Sequence, residues 1–345
     1  MRAAILPEFG GAFELRDVPD PVPDAGEVLV DVVACGAGLT LEHVRNGVMG
    51  GTPPFIMGHE FAGRVAQLGS GISNWTIGDR VTATFYLTCG DCDWCVSGHD
   101  TLCRNFGGWI GAACNGAFAE RVVVPARNLV RVPDAVALDL AGVVADAIAT
   151  PYHVAADRLK IRAGQRIAVL GAGGGLGVHM LAVVRAFGGV AIGIERDRAK
   201  LEALRLGGFA DVLIDASADH WEDELQMASD RRLAGYVDTV CTTQTLAAGA
   251  RALGPRGALV VLGVTAGAEV RADALQMLLN ESVVMGTRYC NRAEIAASLD
   301  LVARGQVTPI IGRRYPLDAL NDAFAAIRAN EVFGRVVIEI ADDLP

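Results

Sequence analysis

The sequence predicts an α/β protein of two domains, one mainly β and the other built on a doubly wound parallel sheet. Its 345 residues exceed the length of one average domain. Up to about residue 150, short β-branched runs are broken by Gly, Pro and Asp, which is typical of strands and irregular loops. From about residue 151, strand patterns alternate with helix patterns, as they do in a parallel sheet covered by helices.

The first domain is predicted to be β-rich by runs such as residues 27–33 and 119–125. The second is predicted to contain six strands, at residues 166–170, 190–195, 212–214, 236–240, 258–262 and 283–285. The last segment shows two helix patterns and a closing strand, at residues 292–304, 316–329 and 334–340. It could extend the second domain or return to the first.

Composition excludes several classes of protein. A formal charge of −10, without a basic cluster, argues against nucleic acid as a partner. The most apolar stretch, residues 167–184, holds five glycines and a histidine, which argues against a membrane span. The first residues lack the pattern of a signal peptide, so we expect a cytoplasmic protein with no membrane partner.

Four cysteines, Cys89, Cys92, Cys95 and Cys103, fall within fifteen residues at spacings of three, three and eight. Short CxxC turns direct successive sulfurs at one ion, and a fourth thiolate closes a tetrahedral site. The spacing predicts one structural zinc per chain. Four unrelated thiols and an iron-sulfur cluster are the alternatives.

A glycine-rich turn follows the strand predicted at residues 166–170 and carries Gly171, Gly174 and Gly177. Such a turn lets the backbone and the N-terminus of the following helix approach a pyrophosphate. Glu195 ends the next strand, eighteen residues after Gly177, where a carboxylate accepts from ribose hydroxyls and repels a 2′-phosphate. The pattern predicts a Rossmann domain and favours NAD over NADP, although Arg196 and Arg198 follow the acid within three residues.

The β-rich domain also carries residue types suited to chemistry. Residues 58–60 read Gly-His-Glu, and residues 35–43 read Cys-Gly-Ala-Gly-Leu-Thr-Leu-Glu-His. With the cysteine group, the glycine turn and the late Gly334-Arg335 pair, the chain resembles the zinc-containing medium-chain alcohol dehydrogenases along its whole length.

That resemblance implies a GroES-like catalytic domain over residues 1–150, with the structural zinc lobe at about 86–107. It implies a Rossmann domain over 151–287 and a segment, 288–345, that returns to the catalytic domain. Hydride would be exchanged between the nicotinamide and a secondary alcohol or ketone, in a cleft between the domains. The family also suggests a homodimer or homotetramer.

The family's catalytic zinc is held by a Cys, the His of the Gly-His-Glu motif and a later Cys, Asp or Glu. The last two fall on His59 and Asp146, but the first falls on Gly38. Because an open catalytic zinc takes three protein ligands, Glu60 would have to supply the third. In this first mechanism, zinc polarises the substrate oxygen and a proton leaves through Thr40, the ribose and His43.

A second mechanism needs no catalytic zinc. Thr40, Glu60 or His59 then exchanges the proton, while NAD(P)H reduces a carbonyl, an imine or an activated alkene. The resemblance also implies that further residues contact the cofactor, namely Thr150, Val264, Thr265, Lys200 and Arg335. A third possibility is a non-catalytic sensor that only binds NAD(H), although such a protein would have no need of Thr40 and His43.

Overall fold

The computed structural model describes residues 1–342 and divides them into two compact units. Unit 1 comprises Met1–Ala149, Cys290–Gly305 and the residues from Ile311 onward, and unit 2 comprises Thr150–Tyr289 and Gln306–Ile310. The predicted fold class, a mainly β domain and a parallel-sheet domain, is confirmed. No helix within residues 1–342 is both long and apolar enough to cross a bilayer.

The first segment of unit 1 consists mostly of strands. They are β1 (Arg2–Leu6), β2 (Glu14–Asp17), β3 (Glu27–Ala37), β4 (Phe55–Ile56), β5 (Glu60–Leu68), β6 (Arg80–Ala83), β7 (Arg121–Pro125) and β8 (Leu129–Arg131). Its helices are α1 (Leu39–Arg45), α2 (Asp93–Val96) and α3 (Leu138–Val143), with 3₁₀ turns at Asp100–Leu102 and Ala126–Asn128. A π-helical turn, Val144–Ile148, follows α3.

Helix α4 (Ala149–His153) and a second π-helical turn, Val154–Arg158, lead into unit 2 along the chain. Unit 2 then alternates strand and helix in the order β9 (Arg166–Leu170), α5 (Gly177–Ala186), β10 (Val190–Glu195), α6 (Arg198–Gly207), β11 (Val212–Asp215), α7 (Trp221–Ala228), β12 (Leu233–Asp238), α8 (Thr243–Ala252), β13 (Leu253–Val261), α9 (Ala274–Asn280) and β14 (Val283–Gly286). The last segment of unit 1 adds α10 (Arg292–Ala303), β15 (Ile311–Pro316), a 3₁₀ turn (Leu317–Ala319), α11 (Leu320–Arg328) and β16 (Arg335–Glu339).

Two sheets form unit 1. The larger has seven strands in the order β15-β16-β3-β5-β6-β8, with β7 also paired to β3, and the smaller has the order β2-β1-β4. Strand β3 is buried at nine of its eleven positions and joins three partners. Because β16 inserts between β15 and β3, the C-terminal segment completes the sheet of the first domain.

The sheet of unit 2 is parallel throughout, with the order β11-β10-β9-β12-β13-β14. Numbered within the unit this is 3-2-1-4-5-6, the order of a dinucleotide-binding fold, and its switch point lies between β9 and β12. Ligands bind such sheets outside the carboxyl ends of the strands that flank the switch point. The glycine turn begins at that place, directly after β9.

Candidate functional site

The four cysteines predicted to bind zinc lie together in unit 1. The Sγ–Sγ distances are 3.4 Å for Cys89–Cys103, 3.5 Å for Cys92–Cys95, 3.9 Å for Cys89–Cys95 and 4.0 Å for Cys92–Cys103. A zinc–sulfur bond of about 2.3 Å places the sulfurs of a tetrahedral site about 3.8 Å apart. The cluster therefore fits a closed tetrathiolate zinc site without rearrangement.

The backbone around this cluster also favours thiolates. The N–H of Cys89 donates to the sulfur of Cys103 at 3.3 Å. Backbone N–H groups of Arg104 and Cys95 lower the pKa of the Cys92 thiol to about 6, whereas desolvation raises the pKa of Cys95 to about 12. The backbone thus favours the thiolate form of Cys92, and His99 lies exposed outside the cluster.

The glycine turn of unit 2 lies against the acid predicted to bind ribose. Glu195 is buried, and its carboxylate accepts from the backbone N–H groups of Gly173 at 3.0 Å, Arg196 at 2.9 Å and Asp197 at 3.1 Å. A carboxylate offers about four acceptor positions, so one remains for a hydroxyl donor. These bonds fix the carboxylate beside the turn.

Lys200 lies over the same turn. Asp197 caps α6 by accepting from the N–H groups of Ala199 and Lys200, which fixes the first turn of that helix. Burial lowers the pKa of Lys200, and the nearby Glu195 opposes that change. A side chain at Gly173 would come within 2.7 Å of the Lys200 Cβ, so acid, lysine and turn form one packed group.

The remaining residues predicted to contact the cofactor differ in exposure. Thr150 is buried and Val264 is half exposed, while the Thr265 hydroxyl donates to the carbonyl of Val240 at 2.8 Å. Arg196 and Arg198 both follow Glu195, and Arg196 is exposed. Gly177 opens α5 and packs so closely on Gly171 and Ala172 that a Cβ there would lie 2.9 Å from the Ala172 Cα.

Unit 1 also brings together the residues predicted to hold a catalytic zinc. Ligand atoms of His59, Glu60 and Asp146 lie within 4.8 Å of one another, and all three residues are buried. The Nε2 of His59 lies 3.8 Å from a carboxylate oxygen of Glu60 and 3.8 Å from one of Asp146. The His59 ring stacks on Phe85, with a centroid distance of 4.1 Å. Arg335 lies beside Glu60 and Asp146. We call these four residues, His59, Glu60, Asp146 and Arg335, the carboxylate centre.

Arg335, which the resemblance implied to be a cofactor contact, lies inside the carboxylate centre and is 5% exposed. Its Nε donates to Glu60 Oε2 at 3.0 Å and its Nη2 to Glu60 Oε1, while Nη2 also lies 3.4 Å from Asp146 Oδ2. Burial lowers the pKa of Arg335 to about 10, which leaves it protonated at neutral pH. A fixed cation therefore already neutralises Glu60.

The carboxylate centre does not fit a catalytic zinc as it is arranged. Both oxygens of Glu60 accept from Arg335, which leaves His59 and Asp146 as donors where an open zinc site takes three protein ligands. Cys35 does not belong to this group of ligand atoms; its side chain is buried in β3, and burial raises the pKa of its thiol. The residues predicted to be zinc ligands are adjacent, but one of them, Glu60, is already paired with a guanidinium.

The residues predicted to relay a proton lie on α1. Thr40 and His43 are three residues apart on that helix, which places them on the same face, and both are half-buried. Sequence reasoning missed the place of Arg335 and the roles of Gly36 and Gly173. Two glycines at alternating positions, Gly36 and Gly38, are the signal that could have indicated a close approach at the end of β3.

Comparisons with known proteins agree with this architecture. Residues 24–134 match the alcohol dehydrogenase GroES-like domain, and residues 175–304 match the zinc-binding dehydrogenase family. An alcohol dehydrogenase of Geobacillus stearothermophilus is 30% identical over 99% of this chain and all of its own length. An acryloyl-coenzyme A reductase of Metallosphaera sedula is 26% identical over 98% of this chain and 99% of its own.

The crystal structure of AibC superposes on this chain with a TM-score of 0.92 and 29% identity, covering 99% of this chain and 96% of that one. The family matches, the sequence relatives and the structural superposition thus agree on one family, and the relatives cover nearly the full length of the chain. The chain belongs to the zinc-type alcohol dehydrogenase family and is an NAD(P)-dependent oxidoreductase that acts on small molecules.

Proposed function

We propose that the protein uses NADH to reduce a polarised C=C or C=O bond of a small organic substrate, without a catalytic zinc. The observation that carries this proposal is the Arg335–Glu60 pair, which occupies the donors that a catalytic zinc would need. The relatives support both readings of the substrate, since some are named alcohol dehydrogenases and others acryloyl-coenzyme A reductases. Reduction of a ketone to a secondary alcohol lies within this class of reaction.

The reaction needs one hydride and one proton. A reduced nicotinamide held by the glycine turn, Glu195 and Lys200 would supply the hydride for the electrophilic carbon of the substrate, so the substrate would be reduced and the cofactor oxidised. The π-electron pair moves to the neighbouring carbon or oxygen, which takes the proton. We assign that proton to Thr40 and His43, because both are half-buried on one face of α1.

We assign cofactor binding to the glycine turn with Glu195 and Lys200, and we propose NAD over NADP. Glu195 is held by three backbone N–H groups and keeps an acceptor position for a ribose hydroxyl. A 2′-phosphate at that position would bring two more negative charges to a buried carboxylate. Thr150, Val264 and Thr265 remain proposed contacts of the nicotinamide.

Turnover tests the proposal directly. The purified protein is incubated with NADH and a panel of ketones, enones and imines, and oxidation of NADH is followed by absorbance. Thr40→Val keeps the shape of the side chain and removes its hydroxyl, so we expect kcat to fall by roughly 10²- to 10⁴-fold while NADH affinity stays the same. NADH binding without turnover of any substrate would favour the sensor instead.

We also propose that unit 2 associates with a second copy of the chain. Leu275, Leu278 and Leu279 share one face of α9 and are 64%, 72% and 71% exposed. The edge strand β14 follows and exposes Val283. An exposed apolar face beside a free sheet edge is typical of a protein interface. Light scattering after gel filtration should give a dimer or tetramer, and Leu278→Glu should lower the mass to that of one chain.

A further inference from the structure

Two glycines at the end of β3 make room for the ion pair of the carboxylate centre. β3 lies between β5 and β16, and Gly36 is paired with Glu60 on one side and Val337 on the other. A Cβ at Gly36 would overlap Glu60 Oε2 and lie 3.2 Å from Glu60 Cδ. A Cβ at Gly38 would overlap Arg335 Nη1 and lie 2.6 Å from Arg335 Cζ. Each half of the pair therefore occupies the place of a missing side chain.

The guanidinium could not move aside at low cost. Its Nε and Nη2 both bond to Glu60, and this buried side chain is flanked by Asp146. A bidentate guanidinium–carboxylate pair combines charge with fixed geometry, and breaking one inside a protein leaves an uncompensated charge. A residue with a side chain at position 38 would thus compete with the Arg335–Glu60 pair.

The charges of these side chains also set the guanidinium and a metal ion in competition. Glu60 and Asp146 carry two carboxylates, and Arg335 supplies one positive charge beside both of them. A divalent cation between His59 and Asp146 would lie next to the guanidinium and be repelled by it. It would also find both Glu60 oxygens engaged. Metal and guanidinium would therefore compete for the same carboxylates.

We infer that the Arg335 guanidinium is the resident cation of the carboxylate centre, in place of a catalytic zinc, and that Gly38 is the residue that admits it. The inference deepens the proposed function, since it names the group that takes the place of a metal in the same site. It assigns two residues a joint role in metal specificity. Replacing Gly38 by a thiol ligand and removing the guanidinium should restore a metal site.

Metal counting tests this inference apart from turnover. Each protein is dialysed against excess zinc, freed of loosely bound ions and analysed for zinc per chain. We expect one zinc in the wild type, none in Cys92→Ser, and two in Gly38→Cys/Arg335→Met, where the introduced thiolate, His59 and Asp146 supply three ligands. The matched control, Gly38→Ser/Arg335→Met, has a similar volume without the thiolate and should keep one. Cobalt absorption distinguishes a new site with one thiolate from the tetrathiolate site.

Two results would overturn the inference. The first is a second zinc in the wild type that Asp146→Ala removes and Cys92→Ser leaves in place. The second is a folded Gly38→Cys/Arg335→Met protein that still holds one zinc. The wild-type count decides the matter even if the double variant does not fold. A lack of NADH oxidation in every variant would count against the proposed function and leave the zinc counts unaffected.

Discussion

His179 should make the stability of unit 2 depend on pH. It is fully buried in α5, where its Nε2 accepts from the Ile310 N–H at 2.8 Å and its Nδ1 donates to the Gly175 carbonyl at 2.6 Å. Protonation would place a second N–H against the N–H of Ile310. Burial lowers the pKa of His179 from 6.5 to about 4.

Because the folded pKa lies below the unfolded one, the unfolded chain binds more protons between them, so the stabilisation is complete above about pH 6.5 and is lost as pH falls toward 4. Integrating that difference gives a loss of about 2 kcal/mol in the free energy of unfolding at about pH 5, and close to zero at about pH 7.5. His179→Gln keeps a polar side chain that does not titrate. The stability of the wild type relative to this variant should therefore fall by about 2 kcal/mol between these two pH values.

Hydrogen exchange of peptides that cover residues 177–186 and 306–310 measures this change within unit 2. Protonation of zinc-binding thiols affects both proteins equally, so it cancels in the comparison. His220→Gln provides a second control, because that histidine is exposed beside α7. A difference between wild type and His179→Gln that stays constant from about pH 7.5 to about pH 5 would refute the reasoning.

Three further predictions follow from the sites. Glu195→Gln should weaken NADH binding roughly tenfold in calorimetry, about 1.4 kcal/mol, because a charged acceptor is lost, and an unchanged Kd would contradict its assigned role. Cys92→Ser should abolish the tightly held zinc and lower Tm, whereas a full zinc content would contradict the tetrathiolate site. Arg335→Met should lower the free energy of unfolding by about 3–5 kcal/mol in urea, since it removes the bidentate partner of the buried Glu60 carboxylate. The matched surface change Arg314→Met, which breaks a half-exposed pair with Asp139, should cost less than about 1 kcal/mol, and equal losses would contradict the difference in burial.

The fold of unit 2 was largely predictable because local pattern and topology agree there. Apolar runs mark all six strands, and the glycine turn marks the switch point. Strand β12 was predicted at 236–240, whereas it spans Leu233–Asp238. Its end was predicted too late because Val240 belongs to a turn. Asp238 Oδ1 accepts from the N–H groups of Val240 and Cys241, which ends the strand at Asp238.

The carboxylate centre was predictable only in part. The sequence indicates His59, Glu60 and Asp146 through their motifs, but it does not indicate that Arg335 pairs with a residue 275 positions earlier. A short apolar strand after Gly334 has no local feature that selects its neighbour in the sheet. Only the pairing of β16 with β3 brings the guanidinium to Glu60.

The position of β16 has a consequence for biosynthesis. A ribosome releases the chain from its N-terminus, so β3, β5 and β7 emerge long before residues 335–339. Until then, residues 34–37 of β3 lack a partner strand on the side opposite β5. Until Arg335 emerges, the Glu60 carboxylate lacks its positively charged partner. Removal of the last dozen residues would therefore leave an exposed strand edge and would remove the positively charged partner of Glu60. An exposed strand edge favours aggregation and chaperone binding.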